Sequence, residues 1–322
     1  ARAHILEGLL IALDHLDEFY GPDDLGRNQR TKAWGGAWKK VELKDGVLRT
    51  KRGGPAVVGH EWCQATYDPS SGTMYFNSQW PVGYYPKDVQ EKYLRSGKHD
   101  HDPPLWRFRP AERKWEPLRT GKPAPRPGVG MNKYLEYVPE LEGLLYVDAS
   151  NHGVGTWLYS PAGNSWKELP PGGSGNKIAS RNPVLPHRLG VTAYCAGKGL
   201  VVACTNDAKG RGRTVQYDTA ANKWEQVAEG TDIPIGHPAF TPCGYDPVSG
   251  AVLLWEPEHR FQKVKKRTAL WAYDLAGKKW SQVTPQGPLP PKGKKIGYFD
   301  PARNVFVVDV NGKIWVYRHK RR

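Results

Sequence analysis

The chain has 322 residues, 39% of them apolar, with 13 Trp, 16 Tyr and 7 Phe beside 36 Gly and 28 Pro, and that content calls for many turns and few long helices. No apolar run reaches the roughly 18 residues of a membrane span, and the four Cys (Cys63, Cys195, Cys204 and Cys243) lack metal-ligand spacing, so they read as buried free thiols. The formal net charge of +15 implies an acidic partner if the charge is gathered in one place.

Residues 1–18, ARAHILEGLLIALDHLDE, predict one helix: Ile5, Leu9, Leu13 and Leu16 recur at helical spacing, and Leu6 and Leu10 broaden the stripe. Glu7, Asp14, Asp17 and Glu18 sit in or beside that stripe, which is not the layout of a secretory signal. A linker follows over 19–31, then a strand, AWKKVEL, that carries Trp38. From there two kinds of hairpin alternate. The first kind is QATYDPSSGTMYFNS, YLEYVPELEGLLYVD, TAYCAGKGLVVAC, CGYDPVSGAVLLW and IGYFDPARNVFVVD. The second is LWRFRPAERKWEPL, TWLYSPAGNSWKEL, TVQYDTAANKWEQV and LWAYDLAGKKWSQV, whose last strands carry Trp115, Trp166, Trp224 and Trp280. One hairpin of each kind makes a four-stranded unit, with strands a, b, c and d in order. The last unit has strand c, GKIWVYR, but no Trp strand, whereas AWKKVEL is a Trp strand with no a, b or c before it. Joining the two would complete a fifth unit from both ends of the chain and hide the open sheet edges.

These units resemble those of the kelch and galactose-oxidase-like β-propeller family. The resemblance covers roughly 32–318 and rests on Leu270, Trp271, Tyr273, Asp274, Lys279, Trp280 and Val283; the Gly-Gly pair that kelch units carry in strand b is missing. It implies an all-β, kelch-type propeller over 32–318 of about five four-stranded blades, or six or seven if the N-terminus is incomplete. One helix precedes it and a basic tail, 319–322, follows. The copper radical oxidases of that superfamily need an adjacent Tyr-His pair, which this sequence lacks, so no cofactor is expected. Residues 1–18 resemble a helix in the coiled-coil arm of the DNA gyrase A subunit. The likeness stops at FYGPDD and brings no topoisomerase chemistry. The segment reads as a fused or gene-model element, or else as a native helix that packs on the propeller or pairs two chains; without such pairing a monomer is expected.

In an antiparallel blade the d–a and b–c connections emerge at one end and the a–b and c–d turns at the other. The expected d–a links are 44–59, 120–130, 170–189, 229–238 and 285–295, and the b–c loops 79–104, 149–155, 206–213 and 257–267. Together they carry a net +15, as much as the whole chain. They are also the long connections, where binding residues tend to sit. The alternative is a solvated basic rim that aids solubility.

Candidate chemistry follows from repeat position. His60 and His187 fall seven residues before Tyr67 and Tyr194, and His237 is displaced by one relative to Tyr245. Arg126, Arg188, Lys294 and Lys295 lie in the same approaches to the innermost strands, and Lys209, Arg211, Arg213, Lys265, Lys266 and Arg267 lie in the b–c loops. Arginines would bind carboxylates or sulfates bidentately. A neutral His next to a carboxylate neutralised by Arg would serve a polysaccharide lyase or sugar epimerase, and the plainer alternative is that these His bond loop backbones. Trp80, Tyr84 and Tyr85, in the 79–104 insertion, offer a sugar-stacking platform or simple loop packing. His99 and His101 share one face of an extended segment, two ligands that do not by themselves make a metal site. The expectation is a binding propeller for an acidic polysaccharide or acidic protein surface, periplasmic or secreted if a signal has been removed. A lyase or epimerase and a kelch-type interaction scaffold are the alternatives. Nucleic acid would bind only nonspecifically, because no recognised motif accompanies the charge.

Overall fold

The computed structural model describes residues 41–44, 47–50, 53–55, 65–77, 105–121, 123–125, 133–148, 155–169, 191–206, 211–230, 232–234, 241–256, 269–291, 295–310 and 312–320. Among these, everything is strand, turn or extended chain except a 3-10 turn at Pro139–Leu141. The expected opening helix and Trp38 lie outside the described residues. No helix among the described residues is long and apolar enough to cross a membrane.

The strands form a propeller-like succession of antiparallel sheets. Strands β1 (Val41–Lys44) and β2 (Val47–Thr50) form a two-stranded sheet. Four four-stranded sheets follow in strict meander order. They are β3 (Ala65–Asp68), β4 (Thr73–Asn77), β5 (Leu105–Arg109) and β6 (Lys114–Leu118); β7 (Lys133–Val138), β8 (Gly143–Asp148), β9 (Gly155–Ser160) and β10 (Ser165–Leu169); β11 (Val191–Cys195), β12 (Leu200–Asn206), β13 (Gly212–Asp218) and β14 (Lys223–Gly230); and β15 (Cys243–Asp246), β16 (Ala251–Trp255), β17 (Leu270–Asp274) and β18 (Lys279–Val283). The last sheet has only three strands, β19 (Lys295–Asp300), β20 (Val305–Val310) and β21 (Lys313–Tyr317). Its completion by the Trp38 strand falls outside the described residues. One difference from the sequence reading is clear: β2 lies inside 44–59, read above as a connection. Its Lys44↔Val47 register leaves two residues, Asp45-Gly46, between β1 and β2, a dipeptide suited to a tight hairpin turn.

The described residues fall into two compact units. In the first, Tyr75, Leu105 and Leu118 of the β3–β6 sheet pack on Leu135, Leu144, Tyr146, Tyr159 and Trp166. The second unit holds β11 to β21 with the pieces Val138–Glu142 and Val147–Thr156. There one cluster joins Val191, Ala193 and Val202 to Val252, Leu254, Tyr273 and Trp280, and another joins Leu253, Trp255 and Leu270 to Phe306, Val308 and Val310. Second strands are thereby covered on both faces: every residue of β4 and β16 is buried. Cys195 is buried and Cys243 half-buried, both as free thiols. The far face of the last sheet is the exception: Ile296, Tyr298, Ile314 and Val316 are 56%, 36%, 61% and 62% exposed.

The repeat is written in side-chain contacts. In every complete sheet an aromatic on the third strand rests on the fourth-strand Trp, with ring centroids 4.9 Å apart for Phe108–Trp115, 5.2 Å for Tyr159–Trp166, 4.8 Å for Tyr217–Trp224 and 5.1 Å for Tyr273–Trp280. Trp224 Nε1 donates to Thr156 Oγ1 at 3.2 Å, and Trp280 Nε1 donates to Thr214 Oγ1 at 2.7 Å. Each acceptor sits on the third strand of the preceding sheet. At the equivalent position of the β3–β6 sheet stands Leu105, and Trp166 Nε1 is buried without a hydrogen-bond partner among the described residues.

Candidate functional site

The third and fourth strands of the β11–β14 sheet, β13 and β14, run seven and eight residues, against five in each counterpart of the β3–β6 and β15–β18 sheets. The extra length extends the hairpin at the end where β12 leads into β13. Two glycines permit it. A Cβ on Gly212 would lie 2.2 Å from the Ile233 carbonyl oxygen, and one on Gly230 would lie 2.5 Å from Asp232 Oδ1. The register shifts between Thr214 and Val215, a bulge that sharpens the local twist before pairing resumes as Arg213↔Glu229 and Gly212↔Gly230.

This arrangement brings two arginines onto one carboxylate. Arg213 Nη2 lies 3.2 Å from Glu229 Oε2, and Arg211 Nη2 donates to Glu229 Oε1. Gln226 Nε2 also donates to Oε2, at 2.7 Å. Side-chain exposure is 42% for Arg211, 15% for Arg213 and 22% for Glu229, so the carboxylate is held between one rim guanidinium and one that is largely enclosed. The Gln226 hydrogen bond and the two guanidinium groups hold the Glu229 carboxyl below its ordinary value.

Two further charged groups occupy the equivalent end of the neighbouring sheets. Glu256, just past β16, is 4% exposed and accepts from Trp271 Nε1 at 3.0 Å. Lys295 is 1% exposed. The sequence reading put Lys295 on a basic connection; instead it opens β19 opposite Val310, and its side chain is engaged within the fold. Arg213, also read as a loop cation, instead lies in β13 opposite Glu229, and Arg211 directly precedes that strand; both side chains meet the Glu229 carboxylate. His60, His187, His237, Arg126, Arg188, Trp80, Tyr84, Tyr85, Lys209, Lys265, Lys266, Arg267, Lys294, His99 and His101 lie outside the described residues. Among the described residues no group of three or more His, Cys, Asp and Glu is set to hold a metal.

Sequence reasoning missed Glu229 and Gln226, which it left in a strand end and an acidic link. Alternation alone does not reveal the pair: extending KWEQVAEG as a regular strand puts Ala228 opposite Arg213, and only the register shift at Thr214/Val215 brings Glu229 there. At the other end of the sheets, Tyr194, one of the aromatics used to place the histidines, donates its hydroxyl to Glu140; burial and that carboxylate push the phenol well up. Tyr137 lies 3.4 Å from Ser70 Oγ in the corresponding turn of the preceding sheet.

No family model matches the chain, and no curated protein does. Among solved structures it is similar to a putative TolB from Agrobacterium tumefaciens (11% identity, TM-score 0.47, covering 79% of this chain and 75% of that one). It is also similar to a GH74 xyloglucanase from Xanthomonas campestris (14%, TM-score 0.46, covering 79% and 36%). A third is TolB from Acinetobacter baumannii (12%, TM-score 0.40, covering 67% and 46%). The chain spans less than half the length of the last two. These are likenesses of fold.

Proposed function

We propose that the protein is a kelch-type binding propeller whose long-connection rim takes an acidic ligand, an anionic polysaccharide first among the candidates. The observation that carries this reading is the separation of charge by sheet end. The connections read from the sequence as joining d to a and b to c carry a net +15. Lys44, Arg49, Arg213, Glu229 and Lys295, counted there, lie in strands, and without those four positive charges and one negative the net is +12. The described turns at the opposite ends are tight four-residue turns. A rigid scaffold with long basic connections on one rim suits recognition of a repeating anion, because many weak contacts add along the polymer. Aromatic side chains in the 79–104 insertion would supply faces for sugar rings. A catalytic version of the same reading assigns proton abstraction to His60 or His187, with Arg126 or Arg188 neutralising the uronate carboxylate. It is favoured by the shared register of those two histidines ahead of Tyr67 and Tyr194.

The test is co-sedimentation with alginate, polygalacturonate, hyaluronate and dextran sulfate, alongside neutral xyloglucan and duplex DNA, at low and moderate salt. Retained preference for one acidic glycan at moderate salt supports the reading. Equal loss of glycan and DNA binding as salt rises would reduce it to nonspecific charge. Ultraviolet absorbance of unsaturated uronate ends in the same mixtures reports lyase activity. A rise abolished by His60→Ala or His187→Ala would assign catalysis to that residue.

A further inference from the structure

We infer that the far face of the last sheet is a self-association surface. A second copy of this chain stacks on it face to face, with strands running the opposite way, so that Asp309 of each copy meets Arg318 of the other. The near face is already occupied within the fold, since Phe306, Val308 and Val310 pack with Leu253, Trp255 and Leu270 of the preceding sheet. On the far face, Val307 and Asp309 stand at the register positions of Leu253 and Trp255. Those two are buried by the sheet that follows them, whereas no described sheet of this unit follows the last one. Ile296, Tyr298, Ile314 and Val316 are left exposed as one contiguous apolar patch.

Charge at the two ends of the face selects a second copy as the occupant. Asp309 stands at one end, where its Oδ1 accepts from the Gly312 amide at 2.8 Å; no cation pairs with it among the described residues. Lys313, in the same turn, pairs with Val310 and so belongs to the near face. Arg318 stands at the other end, two residues beyond Val316 and on its side of the strand. Its Nε and Nη2 donate to the carbonyls of Asn304 and Arg303 at 3.4 and 3.3 Å, neutral groups that leave the guanidinium charge in place. Asp300, in the adjoining turn, is held by Arg303 at 2.7 Å. An apolar face with opposite signs at its two ends is complementary to itself turned end for end, which is what a two-fold interface requires. In that stack the middle row, Tyr298, Val307 and Val316, meets its own counterpart. Three strands about 4.8 Å apart and rows about 6.6 Å apart bury on the order of 500 Å² per copy. A standard interface buries about 800 Å² on each partner, so this pair is weak and concentration-dependent.

The experiment is sedimentation equilibrium of the full chain from about 5 µM to about 500 µM. The expected result is a wild-type dimer that forms across that range. Asp309→Lys and Arg318→Glu each set like charges against one another, and each alone should associate about tenfold more weakly. Their equimolar mixture should recover wild-type association as a one-to-one pair, because the reversed charge of one copy meets the reversed charge of the other. Two milder variants, Asp309→Asn, which keeps an acceptor for Gly312, and Val316→Thr, should weaken the pair in smaller steps. A wild-type monomer at every concentration overturns the inference and gives the face to another occupant. Wild-type association in both charge-reversal variants, or a mixture no better than its components, also overturns it. Were either charge reversal to lose its melting transition, the milder variants decide, and unchanged association in both overturns the inference.

Discussion

Thr156 and Thr214 each hold an indole of the next sheet by a single hydroxyl, and both are almost fully buried. Valine has nearly the same shape but no acceptor, so Thr214→Val would leave Trp280 Nε1 buried and unpaired at a cost of about 1–3 kcal/mol, read as a lower urea midpoint with unchanged m. Leu105 shows that the fold tolerates one such orphan. Glu136, on β7, raises a different issue. It takes the register position of Thr66, Ala193 and Gly244, small residues on the first strands of the other four-stranded sheets. The residue is half-buried, but its carboxyl is the enclosed part, and burial pushes it up from 4.5 to about 8. The folded chain therefore keeps a proton that the unfolded chain releases. Glu136's contribution to stability is complete below about pH 4.5 and is lost as pH rises to about 8. Glu136→Gln should flatten urea stability across that window and raise it at pH 8.

At the scale of the hairpin, both turn families place a left-handed residue in their last position. In the turns between third and fourth strands these are Arg113, Asn164, Asn222 and Lys278, with φ of 51°, 46°, 48° and 50°. Asparagine suits that conformation and adds a bond here: Tyr159 donates to Asn164 Oδ1 at 2.9 Å and Tyr217 to Asn222 Oδ1 at 2.6 Å. Lys278 has neither advantage, and its 3.0 Å pair with Glu225 is exposed. Lys278→Asn should stabilise by up to about 1 kcal/mol, measured by thermal melting. Aspartates open most of these turns. Asp68 is buried, which opposes its charge, yet hydrogen bonds from Ser70 and Ser71 hold it below its ordinary 3.8; Asp300 is held low the same way by Arg303 and Ala302. These lowered carboxyls contribute stability that is full above about pH 3.8 and disappears as pH falls through the folded values. Asp68→Ala should therefore be less stable at neutral pH, and its stability should fall less steeply in acid.

Across the whole chain, the features legible in the sequence were those enforced by local chemistry. Pro, Asp, Asn and Gly at the turns and a Trp on each fourth strand located the four complete sheets and the incomplete fifth. Features set by non-local pairing were not legible. GRGRT reads as a loop because two glycines flank Arg211, yet close packing under Ile233 is what demands glycine at 212. Lys295 reads as a surface cation because PPKGKK is polar, yet pairing with Val310 draws it inside. The last sheet shows a further whole-chain effect. Its rows Ile296–Asp309–Ile314 and Tyr298–Val307–Val316 run across to β21, the outermost strand of this sheet among the described residues. Such a face invites association. Ile314→Lys, placed across from Asp309, should reduce concentration-dependent sedimentation while changing stability by no more than about 0.5 kcal/mol.

The threonine–indole bonds also record serial order. Trp224 follows a sheet that offers Thr156, and Trp280 follows one that offers Thr214, whereas Trp166 follows Leu105. The units are therefore alike in backbone but not interchangeable as parts. Transposing the β15–β18 segment to follow the β3–β6 segment would set the Trp280 indole against Leu105, and a gene shuffled in that way would encode the same strands with a grammatical error at that junction. Duplicated blades in such a chain are tied to their neighbours by syntax as well as by shape.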